Sequence, residues 1–89
     1  HLHVFRILQE LMNNSLRHGK ATVIEVLFEE KNGIKNCYYS DNGIGFEMKS
    51  DENKKGLGMK NIESRIAFLN GKMTLESALN KGVSVVFNF

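Results

Sequence analysis

At 89 residues, with 42% hydrophobic and 25% charged residues, the chain reads as one small globular domain. A net charge of +2, with no basic run interleaved with aromatics, argues against nucleic-acid binding. The lone cysteine, Cys37, excludes an internal disulfide. The lack of a long apolar run or secretory pattern leaves the cytoplasm as the expected location, with no direct membrane contact.

Helical periodicity runs from Leu2 to Leu16, with neither a capping signal nor an initiator methionine before His1, as expected of a fragment of a longer protein. At about 100° per residue, Val4, Phe5, Leu8, Leu11, Met12, Ser15 and Leu16 share one face, the expected core side. Glu10, Asn14, Arg17 and His18 form a polar stripe beside it. Many amphipathic helices carry such a stripe merely as a solvated face. Asn14 asks for more, because asparagine inside a helix costs propensity. Gly19 is predicted to end the helix. His1 and His3, vector remnants or native helix residues, lack a third metal ligand nearby in sequence.

Thr22 to Glu29 is a β-branched run with Ile24, Val26 and Phe28 on one side, and it predicts a first strand. Lys31-Asn32-Gly33 signals a hairpin into a second strand, Ile34 to Ser40, which contains Cys37 as a buried, inert thiol and delivers Asp41 at its end. Asp41-Asn42-Gly43-Ile44-Gly45-Phe46 then suits a nucleotide: a carboxylate accepts from an exocyclic amine, and glycines admit close backbone approach. Glu47 to Lys55 is polar apart from Met48 and reads as a mobile lid. Gly56-Leu57-Gly58-Met59 opens a helix predicted over 57–70, whose N-terminus would favour phosphate. Met59, Ile62, Ile66 and Leu69 form its core face, and Asn70-Gly71 stops it. Two strands follow, Met73 to Ser77 and Val83 to Phe89, joined at Asn80-Lys81-Gly82, with only Val86 breaking the alternation of the last. The order α-β-β-loop-α-β-β predicts an α+β fold with helices on one face of a largely antiparallel sheet.

Together these residues resemble the ATP-binding catalytic domain of two-component sensor histidine kinases, within the superfamily that includes gyrase, the ninety-kilodalton heat-shock chaperone and MutL. Glu10 through Asn14 with Arg17-His18 resembles the asparagine box, Asp41 to Phe46 the first glycine box, and Gly56 to Met59 the second. The run Lys60 to Ile66, continuing to Leu69-Asn70-Gly71, further resembles nitrate-sensor-like and DesK-like subfamilies. The resemblance covers nearly all of residues 1–89 and implies the Bergerat two-layer α/β sandwich, with a mixed, mainly antiparallel sheet. The strand and helix that usually precede the asparagine box have no counterpart, so four strands are expected rather than five.

The resemblance also implies roles. Asn14 would coordinate Mg2+ and help bind ATP; Arg17 and His18 would sit near the phosphates. Asp41 would accept from the adenine amino group, with Gly43 and Gly45 beside base and ribose. Gly56 and Gly58 would form the phosphate cradle, with Lys54 and Lys55 as weaker phosphate contacts. Glu10 takes either a catalytic or metal-orienting role, as in the hydrolysing branch, or a positioning one. The partners implied are a dimerisation and histidine-phosphotransfer domain of the parent chain, itself membrane-anchored or not, and a response regulator. No histidine here matches the phosphoacceptor, so the domain is expected to bind ATP without phosphorylating its natural acceptor. Two other readings stand beside the kinase: an ATP-hydrolysing or serine-kinase relative such as an anti-sigma factor, and a non-catalytic interaction module.

Overall fold

The computed structural model describes residues 2–45 and 59–89. The expected lid, Glu47 to Lys55, and the second glycine box residues Gly56, Leu57 and Gly58 lie outside the described residues, as do Lys54 and Phe46. The elements are α1 (Leu2–Arg17), β1 (Ile24–Lys31), β2 (Ile34–Asp41), α2 (Met59–Phe68), β3 (Met73–Ser77) and β4 (Val83–Asn88). The four strands form one sheet in the order β1-β2-β4-β3, with every pairing antiparallel. The expected α+β architecture and strand number are present, and no parallel pair occurs among the described strands.

Strand alternation explains where the core sits. Cys37 faces Phe87 in register and Tyr39 faces Val85, so the inward residues of the central strands meet directly. Val4, Ile7 and Leu11 of α1, and Met59, Ile62 and Ile66 of α2, pack onto that layer, and all ten of these side chains are buried. Val86 breaks the alternation harmlessly, since it stands on the opposite face between Tyr38 and Thr74.

Helix α1 is turned relative to the sequence expectation. Phe5, Met12 and Leu16, expected in the core, are 60%, 42% and 58% exposed, whereas Ile7 is fully buried. The helix carries two apolar stripes, Val4-Ile7-Leu11 and Leu2-Phe5-Met12-Leu16, and only the first meets the sheet and α2. Periodicity reports the width of an apolar arc but not which half of it is covered.

The turns also refine the sequence reading. Asn32 and Gly33 have φ of 54° and 78°, the pair of positive angles that a type I′ hairpin requires. Helix α1 is followed by a left-handed residue at Lys20, with φ of 51°, rather than at Gly19. Similarly, Asn70 takes the left-handed position after α2, with φ of 58°. Strand β1 starts two residues later than predicted, because Asn42 Oδ1 accepts from the backbone N–H groups of Thr22 and Val23 at 2.9 Å each. Those amides serve a side chain, not the strand ladder.

Candidate functional site

Asp41 closes β2 with its side chain on the helix-covered face. Its carboxylate is held from three directions. Oδ1 accepts the backbone N–H of Gly43 at 2.9 Å and that of Val83, at the start of β4, at 3.1 Å. Oδ2 accepts the Ser15 hydroxyl of α1 at 2.5 Å. A carboxylate has about four acceptor positions. Three are filled by these donors, and the one remaining is on Oδ2. A half-buried acid so arranged can take one further N–H donor.

The turn after Asp41 is stitched to both sides of the domain. Ile44 N–H donates to the Gly19 carbonyl at 2.8 Å, and the Ile44 carbonyl accepts from Asn80 N–H at 2.5 Å. The Asn42 amide also donates to Thr22 Oγ1 at 2.8 Å. Gly43 is needed for chain packing itself, because a Cβ there would run into the Gly19 carbonyl. Gly45 has φ of 64°, and a Cβ on it would meet the Ala78 and Gly82 carbonyls. Both glycines therefore have structural reasons beside the ligand-approach role implied for them. Gly19 is buried too, and a Cβ on it would sit 3.0 Å from the Ser15 carbonyl of α1.

Glu10, Asn14, Arg17 and His18 follow one another along and just beyond the last turns of α1. Glu10 and Asn14 are half-buried and one turn apart on the same face; Arg17 and His18 are exposed. The Arg17 cation there also suits the negative end of the helix dipole. Asn14 and Ser15 are adjacent in the chain, so the stripe and the Asp41 anchor rise from the same turn of helix. Among the described residues no three His, Cys, Asp or Glu side chains converge on one point. Lys55, Gly56 and Gly58, the other nucleotide ligands expected, lie outside the described residues.

The sequence reading missed Ser15, Tyr39 and Val83. Ser15 is on the core face as expected, and there its hydroxyl reaches both Asp41 and the Tyr39 hydroxyl. Alternation along β2 already put Cys37, Tyr39 and Asp41 on one side, which was the available signal. Burial pushes the Tyr39 phenol above its ordinary 10.0; the Ser15 hydrogen bond opposes that rise and the nearby Asp41 charge adds to it. A separate concavity of about 600 Å3 opens at the ends of β2, β3 and β4, lined by Glu76, Lys81 and Ser84 as well as Asp41. It contains nothing from α1, so the polar stripe does not line it.

Comparison with known proteins bears on this arrangement. The profile of the histidine kinase-, DNA gyrase B- and HSP90-like ATPases matches residues 1–89. The chain belongs to that family. It is therefore an ATP-binding domain of the type those proteins share. Among its relatives, the sensor histidine kinase ComP of Bacillus subtilis is 34% identical over 91% of this chain and 11% of its own length. The signal transduction histidine-protein kinase/phosphatase DegS of the same organism is 31% identical over 93% of this chain and 22% of its own. The oxygen sensor histidine kinase NreB of Staphylococcus carnosus is 29% identical over 92% of this chain and 24% of its own. The domain thus spans less than a quarter of each of these three relatives. In fold it is similar to the histidine kinase domain of the Erythrobacter litoralis EL346 blue-light activated histidine kinase, with a TM-score of 0.81, 17% identity, and 98% of this chain and 42% of that one covered. The Acinetobacter baumannii histidine kinase AdeS gives a TM-score of 0.77 at 21% identity, over 96% of this chain and 44% of its own. No helix among the described residues is long and apolar enough to cross a membrane.

Proposed function

We propose that the domain binds Mg-ATP with the adenine amino group on Asp41 and the phosphates toward Asn14, Arg17 and His18. In the parent protein it would present the γ-phosphoryl group to a histidine on a separate dimerisation domain, from which a response regulator would take it. The observation that carries this reading is the Asp41 carboxylate, with both acceptor positions of Oδ1 filled and one on Oδ2 left. An exocyclic amine supplies the missing donor; guanine would present a carbonyl there, acceptor against acceptor. The relatives named as sensor histidine kinases support the transfer step.

Within such a site the chain's own groups have distinct tasks. When bound, Mg2+ would supply positive charge against the phosphates. Asn14 would hold it through the amide oxygen, with Glu10 one turn earlier orienting that amide. Arg17 and His18 would lower the cost of bringing polyanionic phosphate to the helix end. Gly43 and Gly45 keep the Asp41 turn close to the domain, beside base and ribose. Lys55, Gly56 and Gly58 would complete the phosphate cradle.

Titration with a fluorescent ATP analogue tests the nucleotide half. Asp41→Asn loses a charge-assisted hydrogen bond of about 1.5–3 kcal/mol, so affinity should fall roughly tenfold to a hundredfold. Unchanged affinity would remove Asp41 from the site. The transfer half is tested by adding the parent's dimerisation domain in trans. Phosphorylation of its histidine should rise with its concentration and vanish in Asn14→Ala, while the domain alone hydrolyses ATP very slowly. Rapid turnover by the domain alone, lost on Glu10→Ala, would place it with the hydrolysing branch instead.

A further inference from the structure

Two buried hydroxyls stand behind Asp41, and neither has a task in the reading above. Ser15 is 3% exposed and Tyr39 1%, each a polar group in an otherwise apolar layer. Burying such groups is unfavourable unless they are satisfied. Ser15 Oγ bonds both the Tyr39 hydroxyl and Asp41 Oδ2, and the Tyr39 hydroxyl lies 3.0 Å from the Leu11 carbonyl.

Counting hydrogens gives the chain a direction. Two hydroxyl hydrogens serve three contacts. With Asp41 as a carboxylate, the Ser15 hydrogen is committed to Oδ2. Ser15 can then only accept from its other neighbour, so the one Tyr39 hydrogen is shared between Ser15 Oγ and the Leu11 carbonyl, to which it donates at 3.0 Å. The Leu11 carbonyl already accepts from Tyr39 and keeps that hydrogen satisfied if Ser15 is lost. The order Tyr39 to Ser15 to Asp41 is thus the arrangement that leaves a carboxylate acceptor facing the ligand.

We propose that Tyr39 and Ser15 are positioning residues for nucleobase selection, a hydroxyl relay that occupies one side of Asp41 Oδ2 and so leaves a single acceptor position for the base. This rests on the reading of Asp41 as the adenine acceptor. Gly43 and Val83 fix Oδ1 from the backbone, which no side-chain change can release. Ser15 fixes Oδ2 from another element. With all three donors in place the carboxylate can neither turn nor offer a second acceptor to water. Without Ser15, Oδ2 gains a free position, and a base that offers a carbonyl through an intervening water becomes tolerable. The relay therefore acts on the choice between bases as well as on affinity.

The test is a double-mutant cycle on Ser15→Ala and Asp41→Asn, with Tyr39→Phe as a third site, reading competition by ATP and by ITP against a fluorescent ATP analogue. ITP differs from ATP in presenting a carbonyl where adenine has its amine. Ser15→Ala should weaken ATP about three- to tenfold and narrow the ATP-to-ITP ratio by a similar factor. Tyr39→Phe, which keeps the ring and removes the donor to Ser15, should shift the ratio in the same direction by about two- to threefold. The double variant should bind ATP no more weakly than Asp41→Asn alone, since the relay has no other route to the ligand. A merely structural pair would lower thermal stability and leave the ratio untouched. Wild-type discrimination persisting in Ser15→Ala and Tyr39→Phe, yet lost in Asp41→Asn, overturns the relay and leaves the adenine reading standing. Equal binding of ATP and ITP by the wild type overturns both.

Discussion

Asp41 and Asn14 are held by different means. The Asp41 carboxylate receives donors from α1, from its own turn and from β4, and the backbone beside it is tied to Gly19 and to Asn80. Asn14 stands on one helix with Glu10, Arg17 and His18, and two of those four side chains are exposed. On the proposed reading, the contrast follows from what each part would recognise. A base is read by the direction of a hydrogen bond, so its acceptor must be fixed before the ligand arrives. Phosphate and Mg2+ are read by charge and by a flexible shell of oxygens, which a single helix face can supply.

Breaking the fixed part should therefore damage the fold, whereas breaking the exposed end of the helical stripe should damage only binding. The largest effect is expected from Gly43→Ala, whose new Cβ meets the Gly19 carbonyl. Denaturant unfolding should show a loss of about 2–4 kcal/mol. Arg17→Ala should stay within about 0.5 kcal/mol of the wild type. Equal stability of the two variants would erase the distinction.

Asn42→Ala sharpens the same comparison. It removes two acceptor contacts and one donor contact that tie the Asp41 turn to Thr22 and Val23. The side chain is exposed, so water replaces part of what is lost, and about 1–2 kcal/mol is expected. Thermal unfolding measures it. Asn14→Ala, by contrast, should lose the Mg2+-dependent part of its nucleotide affinity, as a titration with and without the cation would reveal.

A smaller effect is expected at alkaline pH, from the layer beneath Asp41. Burial pushes the Cys37 thiol from its ordinary 9.0 to about 11 and raises the Tyr39 phenol as well. Both groups bind their proton more tightly in the folded state. The thiol's contribution is complete below about pH 9 and is lost as pH rises through about 11, and the phenol's begins to fall only above its ordinary 10.0. In Cys37→Ala the decline should begin nearer pH 10, the ordinary value of Tyr39. An identical alkaline profile for variant and wild type would mean that the thiol is not shielded as described.

Much of this was legible in the chain. The β-branched run at Ile24 to Phe28, the Asn32-Gly33 turn and the alternation of β4 carry local signals, because strands and hairpins are specified by neighbours in sequence. Asp41, Gly43 and Gly45 stood out for the same reason. The face of α1 that would be covered was not legible: two apolar stripes compete on one helix, and only tertiary packing selects between them. The contact from Ser15 to Asp41 was equally hidden. Those residues lie 26 positions apart, and nothing local distinguishes a serine that supports an acid from one that merely fills space. Asn42 shows the converse, a residue whose side chain moved a strand boundary that propensity had placed earlier.

The central claim is that the Asp41 acceptor is built for adenine before any ligand arrives. Competition of ATP and GTP for the same fluorescent analogue, on the wild type and on Asp41→Asn, tests it most directly. ATP should displace the analogue at least about tenfold more effectively than GTP, and the variant should lose that preference. Equal displacement by ATP and GTP on the wild type would contradict the account.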